Sequence, residues 1–232
     1  MKLGIMQPYF LPYIGYFQLL ASVDHFILYD NIKYTKKGWI NRNRMLLNGA
    51  DATFSLPLKK GSDSLNIVQR ELAPEFDRRK LLNQFMGTYR KAPQFELVFP
   101  AFERIVNYEE NNLFWYVYNS IVKLCDYLNI KTEITISSEL TVDRKLKGQD
   151  KVLALCEAAG ATTYVNPVGG TELYSKTSFR ERNIELQFIK TTPIEYMQFG
   201  AAFVPWLSII DVLMFNPLNT VRNHIHNNYD LI

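Results

Sequence analysis

Arg42 and Arg44 fall two positions apart in the segment Trp39-Ile40-Asn41-Arg42-Asn43-Arg44. A guanidinium grips phosphate or carboxylate through two parallel N–H donors, so two on one side of a strand make an anion site. Strand alternation puts Ile40, Arg42 and Arg44 on one face and Trp39, Asn41 and Asn43 on the other. The second face, with two carboxamides and an indole, suits a sugar or a peptide-like ligand. The structural alternative is that the arginines pair with carboxylates such as Glu71 or Asp77.

A second cluster lies upstream. The apolar run Met1–Met6 stops at Gln7-Pro8-Tyr9-Phe10-Leu11-Pro12-Tyr13. Pro8 has no backbone donor and biases Gln7 away from helix, so the chain turns where its first strand ends. Open α/β sheets tend to bind ligands at such strand ends. Gln7 offers a carboxamide there, and Tyr9, Tyr13 and Tyr16 offer ring faces and hydroxyls. The alternative is a proline-rich turn with tyrosines packed at the surface.

The next apolar run, His25–Tyr29, ends in Asp30-Asn31. A carboxylate at that point accepts hydrogen bonds from sugar hydroxyls or acts as a general base; otherwise it caps a turn with Asn31. His25 reads as a packed or surface residue. Asp211 is the other candidate base. It follows Ser208 in an apolar helical stretch and needs a partner if buried, for which Arg42 and Arg44 are available. Ser138 in Ser137-Ser138, and Gly169 and Gly170 in Asn166-Pro167-Val168-Gly169-Gly170, are weaker candidates for close backbone approach to a ligand. Neither a dinucleotide fingerprint nor a P-loop is present, and no nucleophile elbow or kinase signature appears.

The elements that must position these residues alternate. Strands are predicted at Lys2–Met6, Phe26–Tyr29, Ile40–Leu46 and Ala52–Leu56, with a crossover helix over Ile14–Ala21. The middle is helical: Asp77–Arg90, Pro93–Asn107 and Asn112–Leu128 carry apolar residues at helical intervals. The last third gives strands at Lys131–Ile136, Thr162–Val165 and Ile184–Ile189, and helices at Gln149–Ala159 and Pro205–Met214. Such alternation predicts an α/β fold with a mostly parallel, Rossmann-like sheet. We expect a single domain over 1–232, with a helical insertion or subdomain at about 75–129.

Composition narrows the function classes. A chain of 232 residues with 47% hydrophobic and 21% charged residues fits a soluble globular protein. The net charge of +3 is too mild to argue for nucleic acid. No apolar run reaches the length of a membrane span, and no signal peptide is read, so a cytoplasmic protein is expected. Cys125 and Cys156 sit in apolar patterns as buried thiols, without metal-ligand spacing. The aromatic excess also permits an apolar patch between copies in a homo-oligomer.

The motifs have a family likeness. Gln7-Pro8-Tyr9-Phe10-x-Pro12-x-x-Gly15-Tyr16, then Asp24, Asp30 and Trp39-x-Asn41-Arg42-Asn43, resemble the WbqC-like protein family. The likeness continues through Tyr89-x-x-Ala92-Pro93-x-Phe95, Ser137-Ser138-Glu139-Leu140, Gly169-Gly170-x-x-x-Tyr174, Tyr196-x-Gln198 and Ser208-x-x-Asp211. The chain departs at Thr191-Thr192-Pro193, where a His commonly precedes the Pro, and at Asn166-Pro167, where small residues are more usual.

The resemblance implies work on bacterial surface polysaccharide (O-antigen), in which a transferase acylates or aminoacylates a nucleotide-linked or carrier-linked amino sugar. Arg42 and Arg44 would hold phosphate or carboxylate. Gln7, Asn41, Asn43 and Gln198 would orient the substrate, with Trp39, Tyr9 and Tyr16 stacking on it. Asp30 or Asp211 would be the base. The resemblance leaves the cofactor unknown. The alternatives are a nucleotidyl or adenylyl transferase, and a non-catalytic binding or scaffold protein of the same pathway.

Overall fold

The computed structural model describes residues 1–200 and 202–232. Its centre is a six-stranded sheet: β1 (Lys2–Met6), β2 (His25–Leu28), β5 (Glu133–Ile136), β6 (Thr163–Pro167), β7 (Glu185–Thr191) and β8 (Tyr229–Leu231). The spatial order is β5-β2-β1-β6-β7-β8. Every pairing is parallel except β7 with β8. The protein is therefore a mixed α/β structure with a mostly parallel sheet. The order reverses between β1 and β6, so connections leave those two strands in opposite directions.

Both faces of the sheet are covered, as parallel strands require. Leu3 and Ile5 of β1, Ile27, Tyr164, Leu186 and Phe188 pack on one side with α5 (Gly148–Ala158) and α6 (Lys176–Arg180). Phe26, Leu28, Val165 and Ile189 pack on the other with α1 (Ile14–Ala21), α4 (Leu113–Leu128), α7 (Ile209–Phe215) and α8 (Leu218–Asn227). Alternate residues of one strand thus feed two separate cores.

Between β2 and β5 the chain leaves the sheet. The expected strands near 40–56 form a separate antiparallel hairpin, β3 (Arg42–Leu47) and β4 (Ala50–Ser55). Asn48-Gly49, both at positive φ, supplies its two-residue turn. The helices α2 (Arg78–Tyr89), α3 (Phe95–Val106) and α4 follow close to the expected spans. They share one buried cluster with α1, α7 and the hairpin. Phe54 of β4 meets Phe85 of α2 edge-on at 4.9 Å, and Phe85 meets Phe102 of α3 at 4.5 Å. Pairs of this kind contribute about 0.5–1.5 kcal/mol each beyond area burial and fix the hairpin against the helices.

Two stretches differ from the sequence reading. The last apolar helix starts at Ile209 and not at Pro205, because Trp206 adopts φ 61° and Ser208 caps the helix by accepting from the Ile210 N–H. The chain then adds α8 and β8, both too short or too polar to read in advance. Gln18, fully buried on α1, donates to the carbonyls of His224 and Asn228 and so ties this late segment to the first helix. No helix among the described residues is long and apolar enough to cross a membrane.

Gln18→Leu takes the side-chain donor from those two carbonyls and leaves each with one backbone donor, the Asn228 and Thr192 N–H groups. We expect a loss of about 1–3 kcal/mol, read as a shifted urea midpoint with an unchanged slope.

Candidate functional site

The parallel strands end at Met6, Leu28, Ile136, Pro167 and Thr191, so the segments after them emerge along one edge of the sheet. Gln7, Asp30, Ser137-Ser138 and Asn166–Gly170 all lie there, and two groups of candidate residues stand out in the structure.

The first group surrounds Asp30, which is only 4% exposed. Its Oδ1 accepts from the Ser137 hydroxyl at 2.8 Å and from the Ser138 N–H at 3.1 Å. Asn31 Oδ1 accepts from the Lys151 ammonium at 2.7 Å, and that amine lies 5.3 Å from the centre of the Tyr29 ring. Lys151 is buried, and burial pulls its pKa below the usual lysine value while Asp30 pulls the other way. Lys151 escaped the sequence reading because it sits in an ordinary amphipathic helix. Gly170 belongs to this edge as well: a Cβ there would collide with the Asn166 carboxamide. Gly169 is exposed.

The second group lines a cavity of about 170 Å3. The N-terminal turn contributes Tyr9, Pro12 and Tyr13. The segment leading into β3 contributes Trp39, and β3 itself contributes Asn43 and Arg44. Trp206 comes from far along the chain. The guanidinium of Arg42 lies 5.5 Å and that of Arg44 5.6 Å from the Trp39 ring centre. The indole and both cations therefore stand on one side, a correction to the alternation expected from Trp39 onward. The chain bends through residues 38–41 and the strand begins only at Arg42.

The arginines do not pair with Glu71 or Asp77. Arg42 donates to the carbonyls of Gly38 and Lys37. Arg44 donates to the Trp206 carbonyl at 3.0 Å and approaches Asp51 at 3.4 Å. Glu71 binds Lys59, and Asp77 caps α2.

Several other candidates hold the frame. Asn43, buried, donates through Nδ2 to the carbonyls of Phe10 and Leu11 and accepts from the Arg44 N–H. Asn41 bridges the Tyr34 hydroxyl and the Leu56 carbonyl. Tyr16 donates to the Gln7 carbonyl and packs on Tyr9 at 5.6 Å. Gly15 leaves room for the Tyr13 ring, which would collide with a Cβ. The Gln7 carboxamide makes no hydrogen bond to another described residue.

Asp211 is fully buried. Its partners are not the arginines but three neutral donors: Tyr89 at 2.8 Å, Tyr196 at 2.7 Å and Gln198 at 3.0 Å. Burial raises its pKa, and the three hydrogen bonds oppose the rise. Gln198 also closes its own loop by bonding both the carbonyl and the N–H of Val204.

Backbone strain marks the cavity. Among the described non-glycine residues with positive φ, Asn48, Asn129 and Asn183 are of a type that tolerates the left-handed region. Leu11, at 47°, and Trp206, at 61°, are not. Leu11 lies in the turn that lines the cavity, and Trp206 lines it directly. Each such residue costs on the order of 1–3 kcal/mol and clusters of them mark functional sites. A larger cavity of about 460 Å3, between α3, α4 and α7, contains none of the sequence candidates and no strained residue.

Asp211→Ala strips the acceptor from two tyrosine hydroxyls and a carboxamide. It should destabilise the protein by about 3 kcal/mol, visible in chemical denaturation. Asp211→Asn gives a second readout. A carboxyl with a raised native pKa binds its proton more tightly when folded. Wild type should therefore lose stability relative to this variant as pH rises from about 4.

Comparison with known proteins bears on this geometry. The model of the WbqC-like protein family matches residues 7–223. The chain is 29% identical over 219 residues to Uncharacterized protein Rv1507c of Mycobacterium tuberculosis (strain ATCC 25618 / H37Rv), covering 93% of each. No solved structure matches. The matched span runs from Gln7, at the head of the strained turn, past Asp211, and the chain belongs to the WbqC-like protein family.

Proposed function

We propose that this protein is a transferase of bacterial surface-polysaccharide biosynthesis. It moves an acyl or aminoacyl group onto an amino sugar carried on a nucleotide or another phosphate-bearing carrier. The observation that carries the reading is the cavity lined by Tyr9, Trp39, Arg44 and the strained Trp206, with a second guanidinium, that of Arg42, 5.5 Å from the centre of the same indole. Cations fit the carrier phosphate, and the indole with Tyr9 fits a sugar or base face. The strand order β5-β2-β1-β6-β7-β8 supports a Rossmann-like reading, with the segment between β2 and β5 as a largely helical insertion in a single domain. A cytoplasmic location suits activated sugars.

In such a transfer the sugar amine attacks the donor carbonyl carbon. A carbon–nitrogen bond forms, the bond to the donor's leaving sulfur or oxygen breaks, and a proton leaves the amine. Asp30 is our candidate for that proton, assisted by Ser138 and the neighbouring Lys151. Asp211 we assign to positioning, since its oxygens are occupied by Tyr89, Tyr196 and Gln198. Gln7, Gly169 and Gly170 would contact the substrate along the strand edge. One observation favours a second reading: both candidate carboxylates are buried and hydrogen-bonded. A non-catalytic ligand-binding protein of the same pathway would need the cavity and no base.

The test is a calorimetric and thermal-shift screen of sugar nucleotides, nucleotides and amino acids. At least one amino-sugar nucleotide should stabilise wild type. Arg44→Gln should weaken that binding about tenfold or more, the scale of one lost charged hydrogen bond, beyond a modest loss of unliganded stability from its bond to the Trp206 carbonyl. Failure of every sugar nucleotide to bind wild type sinks the proposal.

A further inference from the structure

A second chamber of about 470 Å3 adjoins the cavity of the arginines. Its walls are mostly apolar, with Ile14, Ile194, Phe203, Pro205, Leu207 and Val212, and Thr191, Glu195 and Tyr196 add polar groups. Tyr13 and Trp206 line both spaces, and their rings meet edge to face at 5.9 Å. The two chambers thus share one wall, the Tyr13–Trp206 pair, and Arg44 holds the carbonyl of the strained tryptophan. Charge runs one way along them. Arg44 lines one end, with Arg42 beside it over the same indole and Asp51 3.4 Å from the Arg44 guanidinium, and the single ionisable carboxylate lining the other end is Glu195. An anionic group is attracted to the first chamber and repelled from the second.

We infer that the adjoining chambers bind an acyl donor with a phosphate-bearing head: the head rests on Arg44, with Arg42 adding charge nearby, and the acyl tail enters the chamber beyond Tyr13 and Trp206. This rests on the transferase reading above and names its donor as one with an aliphatic tail rather than a bare amino acid. Transfer of apolar surface into such walls drives the tail's entry, and Trp206 is the gatepost it passes.

The probe is a series of straight-chain alkyl phosphates, from methyl to decyl, titrated calorimetrically into the full chain alongside inorganic phosphate. Affinity should rise about three- to fourfold per added methylene until the chamber is full, and then level off. Arg44→Gln should weaken every member by the same factor. Ile194→Trp, which fills the chamber from a half-buried position, should weaken only the longer members. A flat series, with alkyl phosphates no tighter than inorganic phosphate, overturns the inference while leaving the sugar-nucleotide reading standing. A rising series in a protein that binds no sugar nucleotide keeps the donor chamber and removes the amino-sugar acceptor. Absence of binding by every phosphate overturns both.

Discussion

The site depends on a short set of hydrogen bonds that hold the N-terminal turn against the hairpin. Asn43 Nδ2 spans the carbonyls of Phe10 and Leu11, and the Ser208 hydroxyl reaches the Leu11 carbonyl from the other side. The backbone completes the join: Phe10 N–H donates to the Ile40 carbonyl, Ser208 N–H to that of Arg44, and Ile209 N–H to that of Pro12. A leucine at positive φ persists only where its surroundings over-determine it. Here three chain segments, far apart in sequence, do so together. The same bonds bring Tyr9 and Tyr13 to Arg44.

The buried carboxylate of Asp211 performs the matching task for the opposite wall. It gathers Tyr89 of α2, and Tyr196 and Gln198 of the loop that carries Trp206. Tyr89 in turn accepts from the Leu46 N–H of β3. Helix, hairpin and loop are thereby connected through one pair of oxygens. A lone buried anion would be costly; three hydroxyl or amide donors make it tolerable, and burial still raises its pKa. Asp211 and Asn43 are polar residues whose types suggested chemistry and whose partners assign them to geometry.

Much of this was readable in the sequence because the informative residues are close together in it. The turn at Pro8, the strand ends and the long helices follow from local rules, and the turn and the Trp–Arg segment meet as expected. What escaped was non-local. Trp206 lies in the apolar run Pro205-Trp206-Leu207, which reads as helix until Arg44 and Tyr13 are seen to hold it outside one. The Ser208 cap was the available signal that the helix begins later. Lys151 acquires meaning only when α5 is laid beside Asn31. The alternation drawn through Trp39 failed because period-two reasoning assumes an extended chain, and residues 38–41 bend.

The two strained residues carry a consequence for how this protein can change. Glycine at Trp206 would make the backbone more comfortable while removing a wall of the cavity, whereas glycine at Leu11 would ease the backbone while emptying a fully buried core position. Sturdiness and recognition are thus set against each other at Trp206. A lineage selected for heat resistance would have to find its gains elsewhere in the molecule.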